Sequence, residues 1–113
     1  MGKLNSVTID CRDAETLAKF WAQALDGYSV DSEWAMVLKS DSGPTIFFQA
    51  VPEPKQGKNR VHLDISVADC PTEVERLKAL GATVFQEMDE GGYRWTIMQD
   101  PEGNEFCVTQ AAD

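Results

Sequence analysis

Two segments of the chain carry one pattern. Val7, Ile9 and Cys11 alternate with Thr8 and Asp10, and Leu63, Ile65 and Val67 alternate with Asp64 and Ser66. Each run ends in an aspartate, Asp13 or Asp69, at an offset of 69 − 13 = 56. A period of two marks a strand with one face on a core. Each aspartate then opens a helical pattern, so a strand–helix unit occurs twice. At 113 residues the chain makes one compact domain, or two small halves sharing a core. A duplication in so short a chain limits the fold to two similar modules packed together.

In the first half, Asp13 is placed to cap a helix, with Glu15 in the first turn where the helix dipole favours negative charge. Leu17, Phe20, Trp21, Ala24 and Leu25 form an amphipathic stripe, and Gly27 closes it. Strand-like runs follow over 28–31, 34–39 and 45–51, with Ser40-Asp41-Ser42-Gly43-Pro44 as turn material. The segment after Val51 holds two prolines and a glycine with almost nothing to bury, and reads as a linker.

The second half opens on Asn59-Arg60-Val61-His62-Leu63-Asp64-Ile65-Ser66-Val67. Val61, Leu63, Ile65 and Val67 point one way; His62, Asp64 and Ser66 point the other. Asp69 or Cys70 caps the next helix, Pro71 fits its first turn, and Val74, Leu77 and Leu80 line its apolar face up to Gly81. Strands are expected over 83–86 and 93–98, with Asp89-Glu90-Gly91-Gly92 between them. The last strand, 105–110, follows the turn Asp100-Pro101-Glu102-Gly103-Asn104. The order is therefore βαβββ twice. One helix covers only one face of four strands, so the two open faces are expected to cover each other and leave a central cleft lined by the polar sides of the opening strands. The predicted fold is α+β: tandem βαβββ modules in a cupped mixed sheet around that cleft, helices outside. A single domain spans 1–113, with module one over 1–52, a linker over 53–59 and module two over 60–113.

Composition excludes some functions. Ten basic against nineteen acidic residues leave a net charge of −9, which repels nucleic-acid backbones and anionic membranes. No apolar run is long enough to span a bilayer. The N-terminus enters a strand pattern without a signal-peptide hydrophobic region. Cys11, Cys70 and Cys107 are widely spaced and form no CxxC, as expected of reduced thiols in a cytoplasmic protein.

Phe20-Trp21 with Leu25-Asp26-Gly27, Val61-His62-Leu63-Asp64 leading to Asp69, Leu80-Gly81-Ala82, and Asp100-Pro101-Glu102-Gly103-Asn104-Glu105-Phe106 occur in the order seen in one superfamily. The chain resembles the vicinal oxygen chelate group, which includes glyoxalase I, bleomycin-resistance proteins and extradiol dioxygenases. It is most similar to small bacterial glyoxalase-like domain proteins. The resemblance implies a homodimer and a small-molecule ligand. In metal-dependent members it implies four ligands, and carried over residue by residue these are Ser6, Gln49, His62 and Cys107. Ser and Gln are weak neutral donors, so no standard metal site is expected. If a divalent metal binds, His62 with Cys107 or Glu105 would hold it; strand alternation also admits His62 with Asp64.

His62, the only histidine, is the candidate catalytic acid or base. Ser6, Phe47, Gln49, His62, Trp95 and Cys107 are the candidate ligand-binding residues. Trp34 and Met98 join Phe47 and Trp95 as candidate cleft aromatics and apolar groups, unless they simply fill space between sheets. Cys107 lacks a basic neighbour in the sequence that would lower its pKa, and reads as buried and inert. The leading reading is a small-molecule-binding protein of the glyoxalase/bleomycin-resistance type, in which lyase or isomerase activity has a place. The alternative is a metal-dependent vicinal oxygen chelate enzyme, a lyase or dioxygenase, using His62. A third is an interaction module with no ligand of its own.

Overall fold

The computed structural model describes residues 1–111; the last two positions of the second module lie outside the described residues. The chain divides into two compact units, Met1–Pro54 and Lys55–Asp113. The first runs β1 (Ser6–Cys11), α1 (Ala14–Ala24), β2 (Ser29–Val30), β3 (Val37–Lys39) and β4 (Thr45–Ala50). The second runs β5 (Leu63–Val67), α2 (Cys70–Leu80), β6 (Thr83–Glu90), β7 (Tyr93–Gln99) and β8 (Glu105–Gln110). Among the described residues there are thus two βαβββ modules, and the α+β class expected from the sequence holds.

Both sheets share one topology. Strand order is β1-β4-β3-β2 in one and β5-β8-β7-β6 in the other. In each, the opening strand pairs in parallel with the closing strand, and the remaining pairs are antiparallel. A parallel pair needs a crossover, and the module's single helix supplies it.

The helices form where their caps stand. The Asp13 carboxylate accepts from Thr16 N at 3.2 Å and from Thr16 Oγ1 at 2.7 Å, and these bonds hold its pKa below the usual value. Asp69 accepts from Thr72 N at 3.3 Å, which settles the capping residue of α2, with Pro71 in the first turn and Gly81 as C-cap. Leu17, Phe20 and Trp21 of α1 are buried with Leu38, Ile46 and Phe48 of the first sheet. Helix α2 lies on β6, β7 and β8, where Leu77, Met98, Phe106 and Val108 form the second core. Cys70 is the first residue of α2 rather than its cap, and its thiol reaches the Val108 carbonyl at 3.5 Å.

The structure corrects several element boundaries. Strand β5 begins at Leu63, and Val61, expected on the core face, is 77% exposed. The run over 34–39 shortens to Val37–Lys39. Trp34 lies in a loop instead, because the Asp31 carboxylate accepts from the Glu33 and Trp34 amides, each at 3.1 Å. Strand β6 continues to Glu90, through residues expected in a turn. Gly91 and Gly92 alone make that turn, at φ 61° and 86°, since a two-residue hairpin with positive φ at both positions matches the twist of its strands. Met98 is fully buried in the core and joins no open face.

Truncating Leu77 to Ala, at a site with no solvent exposure, should cost about 2–5 kcal/mol. Asp69→Ala should cost about 1 kcal/mol through the lost cap. Urea denaturation followed by circular dichroism measures both, and the first loss should exceed the second.

Candidate functional site

The site is built from the strand pair β5–β8. The pairing sets Leu63 opposite Phe106, Asp64 opposite Cys107 and Ile65 opposite Val108. Paired residues share a face, and faces alternate along a strand. Leu63, Ile65, Phe106 and Val108 therefore point toward α2, while Asp64, Cys107 and Thr109 lie on the open side. His62 precedes β5 by one residue and joins Asp64 on that side. Its Nε2 stands 3.3 Å from Asp64 Oδ1. One donor atom each from His62, Asp64 and Cys107 fall within 4.8 Å of one another.

The turn before β8 fixes this arrangement. Asp100, buried, accepts at Oδ1 from the Glu102 and Asn104 amides, each at 2.9 Å, and the Asn104 side-chain amide donates to the same carboxylate. Gly103 completes the turn at φ 85° and donates its N–H to the Asp100 carbonyl at 2.9 Å. Left-handed backbone there favours glycine. Chain geometry thus delivers Glu105 and Cys107, two residues apart, to the same open face.

Around the three donors lies a hollow of about 450 Å³, whose walls include Lys58, Tyr93, Trp95, Ile97 and Glu105. The Tyr93 and Trp95 rings, i and i+2 on β7, lie 5.6 Å apart at 48°. Glu105 is only 8% exposed, and its carboxylate meets the Lys58 ammonium at 2.6 Å. Asn59 Nδ2 donates to the Glu105 carbonyl at 2.9 Å. The stretch read as a featureless linker therefore places two residues against the site. Lys58 and Tyr93 were not found from sequence: Lys58 lay in a Pro/Gly-rich run, and Tyr93 at a strand start beside a turn.

The Cys107 thiol is pushed up to about 11 from its ordinary 9.0. Burial is the largest cause, followed by the negative charge of Asp64 and the hydrogen bond it accepts from the thiol. Lys58 acts in the opposite sense without prevailing. Cys107 is thus a protonated thiol at neutral pH, unsuited to act unaided as a nucleophile.

The candidates in the first unit sit differently. Ser6, Phe47 and Gln49 lie on the open face of that sheet, with Thr8 opposite Phe47 and Asp10 opposite Gln49. Phe47 and Gln49 line a hollow of about 880 Å³ with Trp34 and Met36, and Ser6 is not among its lining residues. The repeat can now be matched by register. Thr8 corresponds to Asp64, so Phe47 occupies the position equivalent to Cys107, and Gln49 the position equivalent to Thr109. That differs from the match implied by the resemblance, which set Gln49 against Cys107.

The donors can be tested for fit to a divalent metal. Glu105, one of the expected partners of His62, is engaged by Lys58; Asp64 stands beside His62 and Cys107 instead. An imidazole, a carboxylate and a thiol are donors of the kinds and number that zinc takes while keeping an open position. They fit such an ion.

The profile of the glyoxalase-like domain family matches residues 6–109, nearly the whole chain, and the protein belongs to that family. Among solved structures, a glyoxalase/bleomycin resistance protein/dioxygenase family enzyme from Burkholderia phytofirmans PsJN is 20% identical, with TM-score 0.74, over 98% of this chain and 100% of that one. A glyoxalase/bleomycin resistance protein from Albidiferax ferrireducens T118 is 20% identical with TM-score 0.68, over 96% and 98%. A glyoxalase-related enzyme from Fulvimarina pelagi is 15% identical with TM-score 0.73, over 98% and 89%. No curated protein sequence matches the chain. The vicinal oxygen chelate resemblance drawn from the sequence is confirmed. Among the described residues, no helix is long and apolar enough to cross a membrane.

The raised thiol has a stability counterpart. A folded-state pKa above the unfolded value means the native state holds its proton longer. The contribution of Cys107 is therefore complete below about pH 9 and lost as pH rises through about 11. Alkylation by iodoacetamide, mapped by mass spectrometry, should leave Cys107 of the folded protein largely unmodified at pH 8. Asp64→Asn removes the nearby charge and should accelerate modification of Cys107 at that pH.

Proposed function

We propose that the protein binds a small molecule on the open face of its second sheet, without the four-donor metal site of metal-dependent relatives. The observation that carries this reading is the hollow that an aromatic pair, Tyr93 and Trp95, lines together with the polar group of His62, Asp64 and Cys107. Its volume, about 450 Å³, lies in the range of small-molecule sites. An apolar patch beside a few polar groups selects a planar or hydrophobic compound with a hydrogen-bonding substituent. Phe47 and Gln49 give the first unit a similar pairing of aromatic ring and amide, and Ser6 lies on the same sheet face. Ser6 and Gln49 are neutral oxygen donors, which supports binding through hydrogen bonds there rather than through an ion.

His62 is the residue to carry any lyase or isomerase step. It is partly exposed and paired with Asp64, so it can exchange a proton with a bound molecule while the carboxylate orients the ring. Small-molecule partners, a cytoplasmic location and a homodimer complete the proposal; the buried cysteines and the acidic charge are in keeping with it.

A thermal-shift screen against aromatic metabolites and aromatic antibiotics tests the reading, because a ligand selective for the folded state stabilises it by about 2.7 kcal/mol at one hundred times its Kd. A hit should raise the melting temperature saturably, and Trp95→Ala should weaken the response by about tenfold. Hits that bind Trp95→Ala and His62→Ala as well as the unaltered protein would remove the site from this face.

A further inference from the structure

We propose that the outer edge of β6, with the helix-side hollow it borders, docks an extended peptide segment of basic and apolar residues as a further strand of the second sheet. This surface uses none of His62, Asp64 and Cys107, and its occupancy does not depend on a small molecule beside them.

The two modules differ in length at this strand. β6 is the outermost strand of its sheet and runs for eight residues, Thr83–Glu90, all of them exposed except Met88. β2 holds the same place in the first sheet and has only two residues, Ser29–Val30. A βαβββ module therefore closes with a stub at this position, and the added length of β6 is not needed to complete it. A long outer strand leaves a row of backbone N–H and C=O groups without a strand partner. Lysine, proline or shortness commonly blunts such an edge, and β6 has none of these. Its one irregularity lies between Val84 and Gln86, and from there residues 86–90 run in unbroken register with β7.

A groove lies along this edge. Glu87 pairs with Thr96 and Asp89 with Arg94, and paired residues share a face. Thr96 Oγ1 stands 3.8 Å from Cys70 Sγ at the start of α2, so these side chains are on the helix side. There Pro71 and Val74 of α2, with Val84 and Glu87 of β6, line a hollow of about 680 Å³. A strand laid beside β6 would set every second side chain over it.

Charge selects the occupant. Lys78 is paired with Glu75 at 3.1 Å and Arg94 with Asp89 at 3.6 Å. Glu87 and Glu90 are left as exposed carboxylates without an ion pair among the described residues. Pro71, Val74 and Val84 offer apolar contact, and the spare carboxylates favour positive charge across from them. Pairing with β6 of a second copy would set one acidic run against another, and like charges directly opposite destabilise a strand pair. The partner is therefore a basic strand with β-branched residues between its cations.

A short, fluorescently labelled peptide of alternating lysine and valine, titrated with the full chain at physiological ionic strength, tests this by anisotropy. Saturable binding is expected. The same peptide methylated on its backbone nitrogens cannot donate to the ladder, and should bind at least about tenfold more weakly. The double variant Glu87→Lys, Glu90→Lys, changed only at exposed positions, should lose about as much. Amide hydrogen exchange of the unaltered protein needs no variant: the peptide should slow exchange in β6 and leave β2 unchanged. Absence of binding, undiminished binding of the methylated peptide or by the double variant, or exchange in β6 indifferent to the peptide would overturn the proposal. Protection of β6 that rises with protein concentration in the absence of peptide would overturn it too, by placing a second copy on the edge.

Discussion

The site rests on the parallel register of β5 and β8. With Asp64 opposite Cys107, a carboxylate and a thiol share one face of the sheet. A slip of β5 by one residue would turn Asp64 toward α2, away from Cys107, and bury a carboxylate against Leu77 and Met98. Such a slip is heavily disfavoured, because an unpaired charge in an apolar core is costly. The hydrophobic faces of Leu63, Ile65, Phe106 and Val108 therefore specify the position of the polar ones. The buried Asp100 turn reinforces this from the other end of β8, through its bonds to Glu102 and Asn104. Core packing and site geometry are consequences of one alignment.

Electrostatics then differentiate groups that the register has collected. Glu105 is almost fully buried and is balanced by Lys58. Asp64 is more exposed and faces both the imidazole and the thiol, and its negative charge helps keep Cys107 protonated. Two acidic groups on one sheet face thus have separate tasks, one holding the 58–59 segment in place and the other facing the histidine. The positions equivalent to Asp64 and Glu105 in the first unit hold Thr8 and Thr45, so the repeat of the fold is not a repeat of the chemistry. Duplication supplied two like scaffolds, and the polar donors collected on the second.

Much of the fold was legible because its signals are local. Alternation over 7–11 and 63–67, the capping aspartates and the helical stripe of Leu17, Phe20 and Trp21 all act within a few residues. The repeat then made each module a check on the other. Where the reading departed from the structure, nonlocal or competing interactions decided. Asp31 captures two amides and takes Trp34 out of strand β3. The paired glycines alone suffice for the β6–β7 turn, so the acidic run before them stays in the strand. Met98 and Trp95 differ by three positions on β7 and hence face opposite sides, a parity that only the pairing with β8 settles. In the site, His62 and Cys107 were legible as neighbours through the family resemblance, whereas the place of Trp95 depends on the pairing of β7 with β8. Lys58 was hidden by its loop, since its role comes from Glu105, forty-seven positions away in the chain.

The central claim is that the lone imidazole meets the Cys107 thiol on the open face of β5 and β8. Because the chain has a single histidine, nuclear Overhauser contacts from its ring protons can be assigned without ambiguity. The structure predicts contacts between the His62 ring and the β-protons of Cys107 and of Asp64. Contacts confined to the residues flanking His62 in sequence, with none to Cys107, would contradict it.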